Sequence, residues 1–380
     1  MSAAGDRDEG GAVVIAAGGT GGHIYPAQAL ARALRARGHA PAFVTDRRGE
    51  TFGGDLADVP CHTVRASGIA GRGWLGVLGG MFDLALGTLQ AWRLLRRLTP
   101  RLTVGFGGYA SVPTLFAAAK QGRATLIHEA NAVLGRANRL LAPHVGAVAT
   151  SFEGTQGLSR RIRGLVVETG NPVRPDIVAA REAAYAPLEA GQPLRLLVLG
   201  GSLGATVMSR VVAPALCALS EELRARLSVT QQCRPEDLVA VRAAYDQAGI
   251  AAELAPFFDG MAERLAEAHL VICRAGASTV AEVTVVGRPA LLVPYPHATD
   301  DHQTANAEAL ARAGGGWILP EPDFTAESLT AMIEQFIAAP ELLTRAAEKS
   351  RALGRPDAAE RLADLAEQLI NERRVAREAA

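Results

Sequence analysis

The chain carries its chemistry in clusters whose residue types and spacing are readable at once. Three are glycine-rich: Gly18-Gly-Thr-Gly-Gly-His23, Gly105-Phe-Gly-Gly-Tyr-Ala-Ser111 and Gly200-Gly-Ser-Leu-Gly204. At the end of a parallel strand such glycines let the backbone approach an anion, and the helix that follows aims its N–H groups and positive dipole at it. Each loop therefore suits phosphate, although a tight strand-to-helix turn needs the same residues. Their spacing matches neither the dinucleotide pattern G-x-G-x-x-G nor a P-loop ending in Gly-Lys-Ser/Thr. Asp46 stands where a dehydrogenase often places its ribose acid, which keeps an NAD reading open. A further cluster, Arg274-Ala-Gly-Ala-Ser-Thr279, turns into a segment carrying Glu282, a carboxylate able to accept from two sugar hydroxyls or simply favoured near a helix start. Beyond it, Ala298–Asn306 gathers polar side chains, of which Gln303 and Asn306 are the best placed to bind hydroxyls.

The elements that must hold these clusters alternate. Ala12–Ala17 reads as a strand, then the glycine turn, then a helical pattern from Tyr25 to Arg37. The same order returns at Leu194–Leu199 with a helix through Leu219, so the chain repeats its opening about halfway. Ala42–Thr45, Thr103–Gly105, Ala124–His128, Ala147–Thr150, Ala268–Cys273 and Leu291–His297 read as further buried strands, which predicts an α/β chain of parallel sheets covered by helices. Thr169-Gly-Asn-Pro-Val-Arg-Pro175 is the expected linker, giving an N-terminal domain over 1–171 and a C-terminal domain over 172–356. The tail, 357–380, spaces Ala359, Leu362, Leu365 and Leu369 as an amphipathic helix that could pack back on either.

Composition narrows the class. Lys+Arg and Asp+Glu both total 39 in 380 residues, so no global field recruits nucleic acid. The four cysteines lie far apart, without the close pairing of a zinc or redox site, which fits a reducing compartment. The acidic start, Asp6 to Glu9, and the short apolar run after it do not suit a signal peptide, and no stretch reaches the length of a spanning helix. No internal Asp-x-Asp stands ready for a divalent cation: Asp6-Arg-Asp8 lies in the tail, and Asp300 and Asp301 are adjacent. The expectation is no bound metal and no cofactor.

Taken in order, Gly18–His23, Gly105–Ser111, His128-Glu-Ala-Asn131, Gly170-Asn-Pro-Val-Arg174, Gly200–Gly204, Arg274–Glu282 and His297–Asn306 resemble the MurG family, bacterial glycosyltransferases that use UDP-N-acetylglucosamine and lipid I to make lipid II for peptidoglycan. The resemblance spans about Ala12 to Pro320. It implies a GT-B fold, two Rossmann-like domains facing across a cleft, with the donor held mainly by the second half and inversion at the anomeric carbon. Thr20, Gly21, Gly22, Asn131, Arg174, Ser202, Phe258, Ala277, Ser278, Thr279, Glu282 and Gln303 then match donor-contacting positions. Glu282 would hold the ribose, the backbone near Phe258 would read uracil, and Ser202 with Ala277–Thr279 would hold the diphosphate, reached by Arg174. The acceptor's diphosphate falls to Gly19, Gly21, Gly22, Gly107, Gly108 and Tyr109.

Inverting transfer needs a base for the acceptor's C4 hydroxyl, and His23 and Glu129 are the candidates. His23 could instead orient its loop or bind acceptor phosphate, and Glu129 could be a structural acceptor. A lipid acceptor also requires a membrane-facing surface, at the cytoplasmic face of the inner membrane. Between Trp74 and Arg101, Phe82, Leu86, Leu89 and Trp92 recur at helical spacing beside Arg93, Arg96 and Arg97. Such a basic amphipathic helix suits an anionic membrane surface, and the same pattern serves an ordinary core helix with a solvated face. Gly79, Gly80 and Gly87 weigh against an unbroken helix.

Overall fold

The computed structural model describes residues 11–18, 21–46, 54–66, 74–201 and 205–378. By contact the chain divides into two compact units, Met1–Arg174 with Asp357–Ala380, and Pro175–Pro356.

In the first unit, β1 (Val13–Ala16), β2 (Pro41–Thr45), β3 (Cys61–Thr63), β4 (Leu102–Gly105), β5 (Ala124–Glu129), β6 (Ala147–Thr150) and β7 (Leu165–Glu168) form one parallel sheet in the order β3-β2-β1-β4-β5-β6-β7. Val13, Val14, Ile15, Leu102 and Val104 are fully buried, as strands covered on both faces must be. One face packs on Leu30 and Leu34 of the helix Gly21–Ala36 and on Leu362, Leu365, Leu369 and Ile370 of the last helix, Ala358–Glu378. The other packs on Ala91 and Leu95 of the helix Trp74–Leu98 and on Leu115 and Ala118 of the helix Ser111–Lys120. The strand order reverses between β1 and β4, the place where ligands collect beyond the carboxyl ends of such sheets.

The second unit repeats the plan. Its strands β8 (Leu194–Leu199), β9 (Leu227–Gln232), β10 (Ala251–Ala255), β11 (Leu270–Cys273), β12 (Ala290–Leu292) and β13 (Gly316–Ile318) run parallel in the order β10-β9-β8-β11-β12-β13. Here the switch point lies between β8 and β11. Fully buried Arg288 donates to Leu265 O and Ala266 O at the end of the helix Met261–Glu267, and to Val286 O and Gly287 O at the end of the helix Ala277–Val286. One guanidinium thereby satisfies two helix C-termini and ties the ends of these helices together. Burial pulls its pKa down to about 10.

Two expected elements change. The helix expected from Tyr25 begins at Gly21, which puts His23 on its first turn. The strand expected over Leu291–His297 ends at Leu292, because Pro294 and Pro296 offer no N–H to a ladder. The helix Trp74–Leu98 runs unbroken through its glycines. Gly87 has a reason to be glycine: a Cβ there would stand 1.9 Å from the carbonyl oxygen of Arg65.

Candidate functional site

At the first switch point the two glycine loops touch. A Cβ on Gly108 would lie 2.8 Å from Gly18 Cα, and one on Gly107 would lie 3.1 Å from the His23 ring. Gly107 and Gly108 also hold φ of +86° and +74°, which side chains resist, so neither position accepts another residue cheaply. The Ser111 hydroxyl sits 3.0 Å from Ala16 O and 2.7 Å from Gly107 O, locking the exits of β1 and β4 together. The helices Gly21–Ala36 and Ser111–Lys120 thus start side by side with His23 between the loops. Tyr25 is half exposed, and the Arg174 guanidinium lies over its ring at 5.3 Å, which brings the Gly170–Arg174 segment to the same corner. Tyr109, next in the chain after Gly108, is exposed. Of the residues expected here, Gly19 and Thr20 lie outside the described residues.

Glu129, at the end of β5, is buried and occupied. Oε1 accepts from the Asn131 backbone N–H (3.0 Å) and from Asn131 Nδ2 (3.1 Å). Oε2 accepts from Gly135 N–H (2.8 Å) and from Asn138 Nδ2 (2.9 Å). Asn138 Nδ2 also donates to His128 O. This carboxylate organises the loop 130–138, a job for which two backbone and two side-chain amide donors are good partners. His128 is fully enclosed, its Nε2 3.1 Å from Gly170 O, and burial lowers its pKa to about 4. It therefore stays neutral and donates to Gly170 O, tying β5 to the exit of β7.

The second switch point is built alike. Gly200 and Gly201 leave β8, with Gly201 at φ +85°, and the helix Ala277–Val286 starts directly after β11. Ser278 Oγ is buried at that start with no hydrogen-bond partner among the described residues, and Glu282 follows on the same helix, partly exposed. Ser202 lies outside the described residues. Arg274 turns away from the helix start: its Nη1 donates to Val293 O and Pro294 O, and its Nη2 pairs with Glu321 at 2.5 Å. It pins the exit of β12. Gln303 Oε1 accepts from Tyr295 N–H at 3.0 Å. Asn306, expected to bind hydroxyls, is instead fully buried and donates to Ala275 O at 3.0 Å, so it supports the turn rather than meeting a ligand. Phe258 is buried under the Arg264 guanidinium, whereas its neighbour Phe257, which periodicity did not single out, is 69% exposed. The loop Thr299–Asp301 holds Asp300 and Asp301 at φ of 53° and 51°, a strained stretch next to Gln303. Among the described residues no three His, Cys, Asp or Glu side chains converge into a set able to hold a metal ion.

On the helix Trp74–Leu98, Phe82 and Leu89 are exposed, as is Met81, while Leu86 and Trp92 are half-buried, Trp92 packing on the core. Arg93, Arg96 and Arg97 are exposed on it. On the adjoining helix Ser111–Lys120, Phe116 and Lys120 are exposed and in cation–π contact. Among the described residues no helix is long and apolar enough to cross a membrane.

Two Rossmann-type parallel sheets, each with a glycine turn and a helix start at its switch point, define a GT-B glycosyltransferase. Residues 13–150 match the glycosyltransferase family 28 N-terminal domain, and residues 195–369 match the family 28 C-terminal domain. A UDP-N-acetylglucosamine–N-acetylmuramyl-(pentapeptide) pyrophosphoryl-undecaprenol N-acetylglucosamine transferase of Paramagnetospirillum magneticum is 54% identical over 94% of this chain and 96% of its own. The transferase of that name from Brucella suis is 47% identical, covering 95% of each chain. The crystal structure of Acinetobacter baumannii MurG superposes with a TM-score of 0.76 at 32% identity, covering 94% of this chain and 99% of that one. A UDP-GlcNAc 2-epimerase from Neisseria meningitidis shares the fold at 12% identity and a TM-score of 0.63. The chain belongs to glycosyltransferase family 28, in its MurG branch.

Proposed function

We infer that this chain moves N-acetylglucosamine from UDP-N-acetylglucosamine to the C4 hydroxyl of the N-acetylmuramoyl group of lipid I, inverting the anomeric carbon and yielding lipid II and UDP. The observation that carries this is the 54% identity, over 94% of the chain, to a transferase whose name states both substrates. The two switch points supply a division of labour. In the second unit the helix start at Ala277–Thr279, with the buried Ser278 Oγ, and the Gly200–Gly201 exit of β8, together with Ser202, hold the UDP diphosphate. Glu282 takes the ribose hydroxyls, the backbone at Phe258 reads uracil, and Gln303 meets the sugar. In the first unit Gly19, Gly21, Gly22, Gly107, Gly108 and Tyr109 receive the acceptor's diphosphate, and Thr20, Asn131 and Arg174, with Gly21 and Gly22, are donor-contacting residues.

His23 is the base. It stands between the two glycine loops, whereas the Glu129 carboxylate already accepts four hydrogen bonds and acts by holding Asn131. The acceptor oxygen forms its bond to the anomeric carbon as the bond to UDP breaks, the electron pair leaves on the diphosphate, and the hydroxyl proton passes to the imidazole. Charge grows on the diphosphate, where preorganised N–H groups of the helix start stabilise it most. The Phe82, Leu89 and Arg93–Arg97 surface rests on the anionic cytoplasmic leaflet of the inner membrane as a peripheral contact. Incubation with UDP-N-acetylglucosamine and a lipid I analogue, followed by mass analysis, should show one added N-acetylhexosamine and one UDP per product. Consumption of the donor with no change in the acceptor would replace transfer with epimerisation.

A further inference from the structure

Gln232 closes β9, the strand between β8 and β10. Its side chain reaches both neighbours' exits: Oε1 accepts from Gly200 N–H at 3.1 Å, and Nε2 donates to Pro256 O at 3.1 Å. A backbone N–H can only donate and a carbonyl only accept, so these two partners fix the amide in one orientation. Few other side chains could replace it. Leucine or methionine has neither group, and glutamate would set an acceptor against the Pro256 carbonyl. Gln232 thus extends the sheet by one rung past its last backbone pairing, where strand exits otherwise part into loops. Those two exits lead to different places. Gly200 opens the glycine turn toward Ser202, and Pro256 opens the Phe257–Phe258 turn that precedes the helix Met261–Glu267.

We propose that Gln232 is a positioning residue that holds the diphosphate turn and the uracil-reading turn at the separation of one nucleoside diphosphate. This rests on the donor-site assignment above. In this role Gln232 acts through the two backbone segments it ties together. The nucleotide then gains from both anchors only while their spacing is kept, the benefit of preorganisation.

The full chain with Gln232→Met tests this. Its KM for UDP-N-acetylglucosamine should rise about ten-fold while kcat stays within about two-fold, the pattern of lost uniform binding. Calorimetric affinity for UDP should fall by the same factor, whereas competition by uridine alone and by inorganic pyrophosphate alone should stay within about two-fold of wild type. Should Gln232→Met not fold, Gln232→Glu, which keeps the Gly200 hydrogen bond, carries the same measurements with the same expectation. Unchanged KM, a fall in kcat alone, or an equal loss for UDP and both fragments would overturn the spacing role. Wild-type protein that binds no UDP would overturn the donor-site assignment, and the spacing role with it.

Discussion

Residue by residue, the two candidate bases part by their surroundings. His23→Ala should lower turnover by about 10²- to 10⁴-fold, the share a general base contributes, measured on protein whose folded fraction is checked by its unfolding midpoint. Glu129→Gln should act through the fold of the loop 130–138. One amide N–H must then face a donor it cannot accept from, which costs roughly 1–3 kcal/mol, so the unfolding midpoint should drop along with activity. Wild-type turnover in His23→Ala would remove it from the base role. A second residue-scale effect concerns acid. His128 is neutral when folded, with a pKa near 4, and in the unfolded chain it titrates near its ordinary value of 6.5. Between those values the unfolded chain binds more protons, so the folded state loses stability as pH falls from about 6.5 to about 4. Chemical denaturation across that window should be shallower in His128→Gln; an identical slope would assign the acid sensitivity elsewhere. The glycine loops were legible from residue type and spacing, and the two candidate bases from the family resemblance. The saturation of Glu129 was not, because its donors Gly135 and Asn138 are ordinary residues until the loop folds back on the carboxylate.

Among the elements, the helix Trp74–Leu98 carries the membrane assignment. Periodicity singled out Phe82, Leu86, Leu89 and Trp92 alike, yet only Phe82 and Leu89 stand exposed, together with Met81. Ala91 and Leu95 turn one stripe inward, and Trp92 leans on that core. Phe82→Ser with Leu89→Ser should therefore cut binding to anionic liposomes by about a hundred-fold or more while leaving the fold intact, each exposed side chain being worth about 1.5–3 kcal/mol on burial. Trp92→Ser should chiefly destabilise the protein. Undiminished flotation of the double variant would move the contact off this helix. Pattern alone could not make this division, because a helix of nearly continuous apolar residues offers several stripes and only the sheet beneath selects one.

For the whole molecule, the last helix matters most. Leu362, Leu365, Leu369 and Ile370 complete the core on one face of the first sheet, beside Leu30 and Leu34. Arg37 pairs with Glu360, Asp364 and Glu367 of this helix, and His39 Nε2 meets Glu367 at 2.9 Å. Ending the chain at residue 356 strips those four side chains from their core. That loss is on the order of 6–12 kcal/mol by burial, as large as a domain's whole stability. Scanning calorimetry of such a truncation should lose the transition of the first unit and keep that of the second, Pro175–Pro356; loss of the second transition alone would contradict the packing.

The sequence by itself determined the alternation of strand, glycine turn and helix, its repetition near residue 194, the loops fit for phosphate and the family to which they belong. These are local matters: period, turn chemistry and glycine placement act over a few residues. Short strands such as β3, β7 and β13 escaped, having three or four residues and half-exposed patterns. Only the tertiary structure decided that the Gly18 and Gly108 backbones meet, that Asn306 and Arg274 brace turns, and that one glutamine spans the exits of β8 and β10. Those outcomes depend on which strands lie side by side, and strand order follows from packing the whole sheet rather than from any stretch of it.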